Sequence, residues 1–242
     1  MMSRLWLMLV TLPMTGFVLP LSAYGWEVRY DASDGVLPSS ASPPWSRIGG
    51  SGVQPTVADG VLHIDDASST DYAFYEIEPW AIEAGVPVTM EARMRVVSDS
   101  DPLNRHWTTV MSIQTRDAYT LLSIHPDHLR AYEYGSGELA YGTDFASYRT
   151  IRLALDPSNR VYAWVDGQLA FSFSVPHSGG QGGVLFGAGS TEGMSDSYWQ
   201  YVAYSKQFLP VPEPSSLLAL AGGLVGLPGF ALRRRARPGS PS

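Results

Sequence analysis

The chain has 242 residues, with 16 Lys and Arg against 23 Asp and Glu, a net charge of -7 and no cysteine. An acidic balance excludes a nucleic-acid binder that works by neutralising phosphates on a basic face. The lack of thiols excludes disulfides and thiolate chemistry, so stability must come from the core, helped at most by a bound cation such as calcium.

The first residues form a processing segment. Arg4 supplies a positive start, 5–21 is almost wholly apolar, and Ala23-Tyr24-Gly25 offers small residues at the cleavage positions. This is the pattern of a secretory signal peptide, 1–25, cut after Gly25. Pro13, Gly16 and Pro20 make it a poor permanent helix.

The body of the chain is 26–210, long enough for one domain with its own core. It holds 22 acidic side chains against 11 basic ones, near -11. Its pattern is all β. Strands are expected at 26–30, 61–64, 72–78, 86–97, 107–114, 119–124, 129–134, 148–155, 160–165, 168–175, 183–188 and 198–205. The long strand 86–97 puts Met90, Ala92, Met94 and Val96 on one face and Glu91, Arg93 and Arg95 on the other, the period of two of a half-buried strand. Asp59-Gly60, Asp156-Pro157-Ser158-Asn159 and Asp166-Gly167 are hairpin turns by composition. The best helical candidate is one turn at 80–84. Short strands at this spacing predict a two-sheet antiparallel β-sandwich or jelly roll.

The end of the chain is organised differently. Val211-Pro212-Glu213-Pro214 precedes an uncharged apolar run, 215–232, and then Arg233-Arg234-Arg235-Ala236-Arg237. As a helix, 215–232 would span about 27 Å, close to the hydrocarbon core of a bilayer. The arginines would hold 238–242 as a short cytoplasmic tail.

The tail resembles the PEP-CTERM sorting signal of Gram-negative bacteria, on Pro212, Glu213, Pro214, the hydrophobic run and Arg233, Arg234 and Arg235. That resemblance implies export, transient anchoring in the membrane, processing by an exosortase, and a final place on the cell surface or in the extracellular polysaccharide matrix of a biofilm. An ordinary C-terminal membrane anchor would share the helix-plus-charge pattern. Either reading places 26–210 outside the cytoplasm.

A second resemblance spans the body. Tyr148-Arg149-Thr150-Ile151-Arg152-Leu153 followed by Val161-Tyr162-Ala163-Trp164-Val165-Asp166-Gly167 is similar to a hairpin of concanavalin A-like domains. That superfamily includes legume lectins, laminin-G modules and glucanases. Asp59-Gly60-Val61-Leu62-His63-Ile64, the strand 86–97 and a closing strand with Trp199 and Tyr201 fit the same order. The resemblance implies a lectin-like sandwich with a glycan-binding face.

Catalysis is not expected. Laminarinase-type members need Glu, Asp two residues on, and Glu three beyond that, which sets two carboxylates about 5 Å apart. Glu76-Ile77-Glu78-Pro79-Trp80-Ala81 comes nearest and fails at Ala81, so Glu76 and Glu78 read as solvent-facing strand residues. Sialidase-type chemistry needs a propeller larger than this chain. No Gly-x-Ser-x-Gly elbow supports a hydrolase triad. The Gly-rich stretch 179–183 lacks the Lys and the following helix of a phosphate loop.

For a metal, His125-Pro126-Asp127-His128 carries ligands zinc would accept, but Pro-Asp between strands is also ordinary turn chemistry. Calcium prefers hard oxygens, and Asp65, Asp66, Asp99 and Asp101 are its candidates. For a glycan, the polar faces of the expected strands offer Arg93, Arg95, Gln114, Arg116, Tyr132 and Tyr134, provided those strands are neighbours in one sheet. The expected function is a non-catalytic carbohydrate-binding module, with exosortase, the export machinery and extracellular polysaccharide as partners. The alternatives are a structural or protein-interaction domain of the matrix without a glycan site, and a glycoside hydrolase with atypical catalytic residues.

Overall fold

The computed structural model describes residues 25–66, 71–77, 82–100, 108–133, 137–175, 183–189 and 193–211. All of the expected signal peptide except Gly25, the run 215–232, Tyr134, Asp101 and the motif residues Pro212, Glu213, Pro214, Arg233, Arg234 and Arg235 lie outside them. Among the described residues no helix is long and apolar enough to cross a membrane.

The domain is two antiparallel sheets. The first contains β1 (Val28–Asp31), β3 (Thr56–Ala58), β4 (Val61–Asp66), β6 (Val88–Ser100), β11 (Arg149–Leu155), β12 (Arg160–Val165), β13 (Gln168–Ser174) and β15 (Met194–Ser205). Its order is β13-β12-β11-β6-β15-β4-β3, with β1 on β15 beyond the β4 pairing. The second contains β2 (Ser46–Gly49), β5 (Tyr72–Ile77), β7 (Thr109–Gln114), β8 (Tyr119–Ile124), β9 (His128–Glu133), β10 (Gly137–Gly142) and β14 (Gly183–Gly189), in the order β10-β9-β8-β7-β14-β5-β2.

The predicted sandwich is present, and so are its turns. Asp59 and Gly60 have φ of 52° and 73°, and Asp166 and Gly167 have 48° and 83°. These are left-handed pairs of the kind a tight two-residue hairpin needs. The expected turn at 80–84 is not helical over its described part, 82–84. The helical turns lie instead at Ala32–Asp34 and Pro38–Ser40.

Alternation builds the core. Met90, Ala92, Met94 and Val96 are fully buried between the sheets, as are Ile151 and Leu153 on the neighbouring β11. Phe186 of β14 is the hub of an aromatic cluster that joins the two layers. Its ring lies 5.1 Å from Trp45, 5.0 Å from Trp199 and 5.6 Å from Tyr75. Stacked, tilted and edge-on pairs of this kind contribute about 0.5–1.5 kcal/mol each beyond area burial.

Candidate functional site

If even positions of β6 face the core, odd ones face outward, and β6 lies in the middle of the eight-stranded sheet. The outer face of that sheet therefore carries Glu91, Arg93 and Arg95, flanked by Thr150 and Arg152 of β11 and by Tyr198 and Tyr201 of β15. Arg95 is clamped between two phenol rings, 4.5 Å from the centroid of Tyr198 and 5.1 Å from that of Tyr148. Tyr198 also stacks on His63 at 4.3 Å, and His63 Nε2 lies 2.8 Å from an Asp196 carboxylate oxygen. Arg93 donates from Nε to the Gln200 side-chain oxygen at 2.9 Å and reaches Thr150 Oγ1 at 3.4 Å.

Beside these residues a buried charged network closes the face. Arg152 donates to Glu91 Oε2 from Nε and Nη2, and the Tyr201 hydroxyl donates to Glu91 Oε1 at 2.9 Å. Burial, and then the Glu91 charge, push the Tyr201 phenol well above the usual tyrosine range. A cavity of about 360 Å³ opens here, lined by Glu91, Thr150, Arg152, Trp164, Asp166 and Val211 among others.

The chain leaving β15 crosses the same face as a strap. Thr89 Oγ1 donates to the Gln207 carbonyl at 2.7 Å and accepts from the Leu209 N–H at 2.9 Å. Arg152 donates to the Leu209 carbonyl at 3.1 Å, and Phe208 packs edge-on against Tyr162. Val211, the last described residue, walls the cavity.

The other named ligand residues lie elsewhere. Gln114 and Tyr132 belong to β7 and β9 of the seven-stranded sheet, and Arg116 follows β7. The condition that all six share one sheet is not met, because the chain changes sheets between β6 and β7. Arg93 and Arg95 stay together, while Arg116 pairs with Glu83 at 3.2 Å. Glu76, expected to face solvent, is 8% exposed on β5, where its register partners are Ser46 and Leu185. Loss of solvent raises its carboxyl above the ordinary range.

The acidic candidates also regroup. Asp65, Asp66 and Asp99 line one cavity of about 250 Å³ together with Asp196. Asp65 and Asp66 are adjacent on a strand and point to opposite faces. Asp99 is hydrogen-bonded by His125, and Asp196 by His63. Among the described residues no three His, Cys, Asp or Glu converge as a metal site, and Asp101, the fourth calcium candidate, lies outside them. His125 and His128, the zinc candidates, both have carboxylate partners at Nδ1, Asp99 and Asp127. The two imidazoles stack at 4.3 Å.

One arrangement was not legible in the sequence. Ser123 Oγ lies 3.1 Å from His125 Nε2, and His125 Nδ1 meets Asp99. The order Ser-His-Asp is that of a nucleophile relay. Ser123, however, is 1% exposed and His125 4%, so no carbonyl reaches the hydroxyl. The chain of bonds ties the end of β6 in one sheet to the end of β8 in the other.

Several solved structures resemble the domain. The conserved carbohydrate esterase of the Shiga toxin-encoding bacteriophage phi24B is 16% identical at a TM-score of 0.51, over 73% of this chain and 96% of that one. A sialidase is 8% identical at 0.53, over 74% of this chain but 18% of its own. A lichenase, a β-1,3-1,4-glucanase from a mouse hindgut metagenome, is 15% identical at 0.48, over 74% and 99%. The chain spans about half the length of the botulinum neurotoxin binding domains it also resembles. The likeness to the esterase and the sialidase, at these identities, shows the β-sandwich fold alone. No curated protein sequence matches the chain. Residues 210–235 match the PEP-CTERM protein-sorting motif, so the strap on the outer face of the eight-stranded sheet runs directly into the signal of an exported protein.

Proposed function

We propose that this is an exported protein, processed by an exosortase and retained at the cell surface or in the extracellular matrix, whose sandwich binds polysaccharide without cleaving it. The observation that carries this reading is the outer face of the eight-stranded sheet. Arg93, Arg95, Thr150 and Gln200 set guanidinium, hydroxyl and amide groups side by side, and Thr150 also lines the 360 Å³ cavity. A few convergent polar groups beside a concavity are what a sugar's hydroxyls require. The phage carbohydrate esterase and the sialidase that share the fold act on sugars by name, which agrees with this assignment without deciding it. The test is retention of the purified protein on the producing cell's own exopolysaccharide, with parent and Arg93→Ala. Saturable binding weakened by the substitution supports the reading. A protein that stays in the matrix yet binds no glycan would be a structural or protein-interaction domain.

Glu76 favours a second reading. A carboxyl whose acidity is lowered by burial suits a general acid, and glycoside hydrolases use such a group opposite a second carboxylate. The natural partner on the strand, Glu78, lies outside the described residues. Release of reducing ends from the exopolysaccharide, abolished by Glu76→Gln, would establish hydrolysis.

A further inference from the structure

Building on the polysaccharide reading, we infer that the ligand of the eight-stranded face is an anionic polysaccharide whose acidic groups are held by Arg93 and Arg95. Neutral sugars are usually gripped by open aromatic faces that cover their C–H patches. On this face the rings are occupied. Tyr148 and Tyr198 hold Arg95 between them, Tyr198 also carries His63, and Trp164 stacks with Tyr162 at 5.7 Å. Between those rings and Thr150 stand the half-buried guanidinium groups of Arg93 and Arg95.

The two arginines are also distinguished by their partners. Arg29, Arg116, Arg130, Arg149 and Arg152 each pair with a carboxylate. Arg93 and Arg95 make no ion pair among the described residues. Their contacts are to Gln200, Thr150, Tyr148 and Tyr198, all neutral. The Arg95 Nε is buried with no acceptor. Arg47 and Arg160 make no ion pair either, but Arg47 spends its guanidinium on the Gly50 and Val53 carbonyls and Arg160 bonds the Ser172 hydroxyl; Arg93 and Arg95 are two such cations side by side on one strand of a body near -11. They stand two residues apart on one strand, about 7 Å from each other along it. Clamping by the tyrosines fixes the Arg95 plane in advance, so little freedom is lost when its fork meets a carboxylate or sulfate. Of the acids on neighbouring positions of the sheet, Glu91 is engaged by Arg152 and Asp196 by His63.

The experiment uses the full chain purified in detergent and four polymers: polygalacturonate, the same polymer with its carboxyls reduced to neutral hydroxymethyl groups, sulfated dextran, and plain dextran. Binding is measured at 50 and 200 mM salt. Polygalacturonate or sulfated dextran is expected to bind, with affinity falling as salt screens the contact. The preferred polymer identifies carboxylate or sulfate as the recognised group. Arg93→Gln and Arg95→Gln should each weaken binding by about tenfold or more. Arg93→Lys, which keeps the charge, should retain most of the salt-dependent part. Equal binding of the reduced polymer or plain dextran would overturn the anionic assignment and leave the polysaccharide reading standing. Failure of all four, together with failure on the native exopolysaccharide, would remove both. Anionic binding that both glutamine variants retain, with unchanged melting temperatures, would place the site off this face.

Discussion

Arg152 grips Glu91 on the outer face of the eight-stranded sheet, with Nε 2.8 Å and Nη2 2.6 Å from the same carboxylate oxygen. Both residues are buried, at 7% and 4% exposure. Removing one partner of such a pair strands the other charge and costs about 3–5 kcal/mol, whereas replacing both with apolar groups costs far less. Arg152→Met is therefore expected to lower the melting temperature sharply. Glu91→Met with Arg152→Met should recover much of the loss. Thermal melts of the two variants check this, and equal damage in both would refute it.

The strap depends on Thr89. One hydroxyl holds two points of it, the Gln207 carbonyl and the Leu209 N–H. Thr89→Val keeps the shape and removes both bonds, at about 0.5–1.5 kcal/mol each. Most of that loss should be local, because the strap follows the last strand. The expected readout is faster proteolysis between Ser205 and Val211 with little change in the global melt. A variant no more sensitive there than the parent would show that the bonds do not hold the strap.

The sequence patterns revealed the central strands and, of the four strands that end the two sheet orders, only β13. The strand 86–97 was legible because four alternating positions, Met90, Ala92, Met94 and Val96, had one buried answer, and Asp59-Gly60 and Asp166-Gly167 were legible because few other pairs adopt left-handed φ. The strands that escaped, β2, β3 and β10, all lie at sheet edges. An edge strand takes its order from one neighbour's hydrogen bonds, and Gly137 and Gly142 at the ends of β10 resemble turn residues as much as strand ends. The candidate site divides in the same way. Period two puts Arg93 and Arg95 on one face, which the structure repeats. Nothing local says that β6 and β7, consecutive in the chain, belong to different layers, so Gln114 and Arg116 could not be separated from them. Ser123, His125 and Asp99 meet only because the two sheets close on one another.

Phe186 tests how much the layers depend on their aromatic hub. Its ring contacts Trp45, Tyr75 and Trp199, and it is fully buried. Phe186→Ala would leave a cavity bounded by rigid rings that cannot collapse into it. The expected cost is about 3–5 kcal/mol in denaturant unfolding, with Phe186→Leu well below that. A loss under about 1 kcal/mol for the alanine variant would mean that the two sheets repack freely.

Glu76 and Asp71 should respond to pH with opposite signs. Burial raises the Glu76 carboxyl above its unfolded value. The folded state then holds more protons than the unfolded state between those two values, so stability falls as pH rises through that window and stays lower above it. Asp71 accepts backbone N–H bonds from Tyr72, Gly52 and Gly50, and these bonds, with the Arg47 charge, hold its carboxyl below the usual range despite some desolvation. Its contribution is present above the unfolded value and is lost as pH falls through the folded one. Glu76→Gln is therefore expected to melt higher than the parent at pH 7 and to converge with it in acid. Asp71→Asn should melt lower at pH 7, with the gap closing as the parent's carboxylate protonates. Melting curves from pH 3 to 7.5 separate the two cases. A Glu76→Gln variant that melts below the parent at pH 7 would mean that the carboxylate has a stabilising partner in the fold, and would remove the argument for it as a raised general acid.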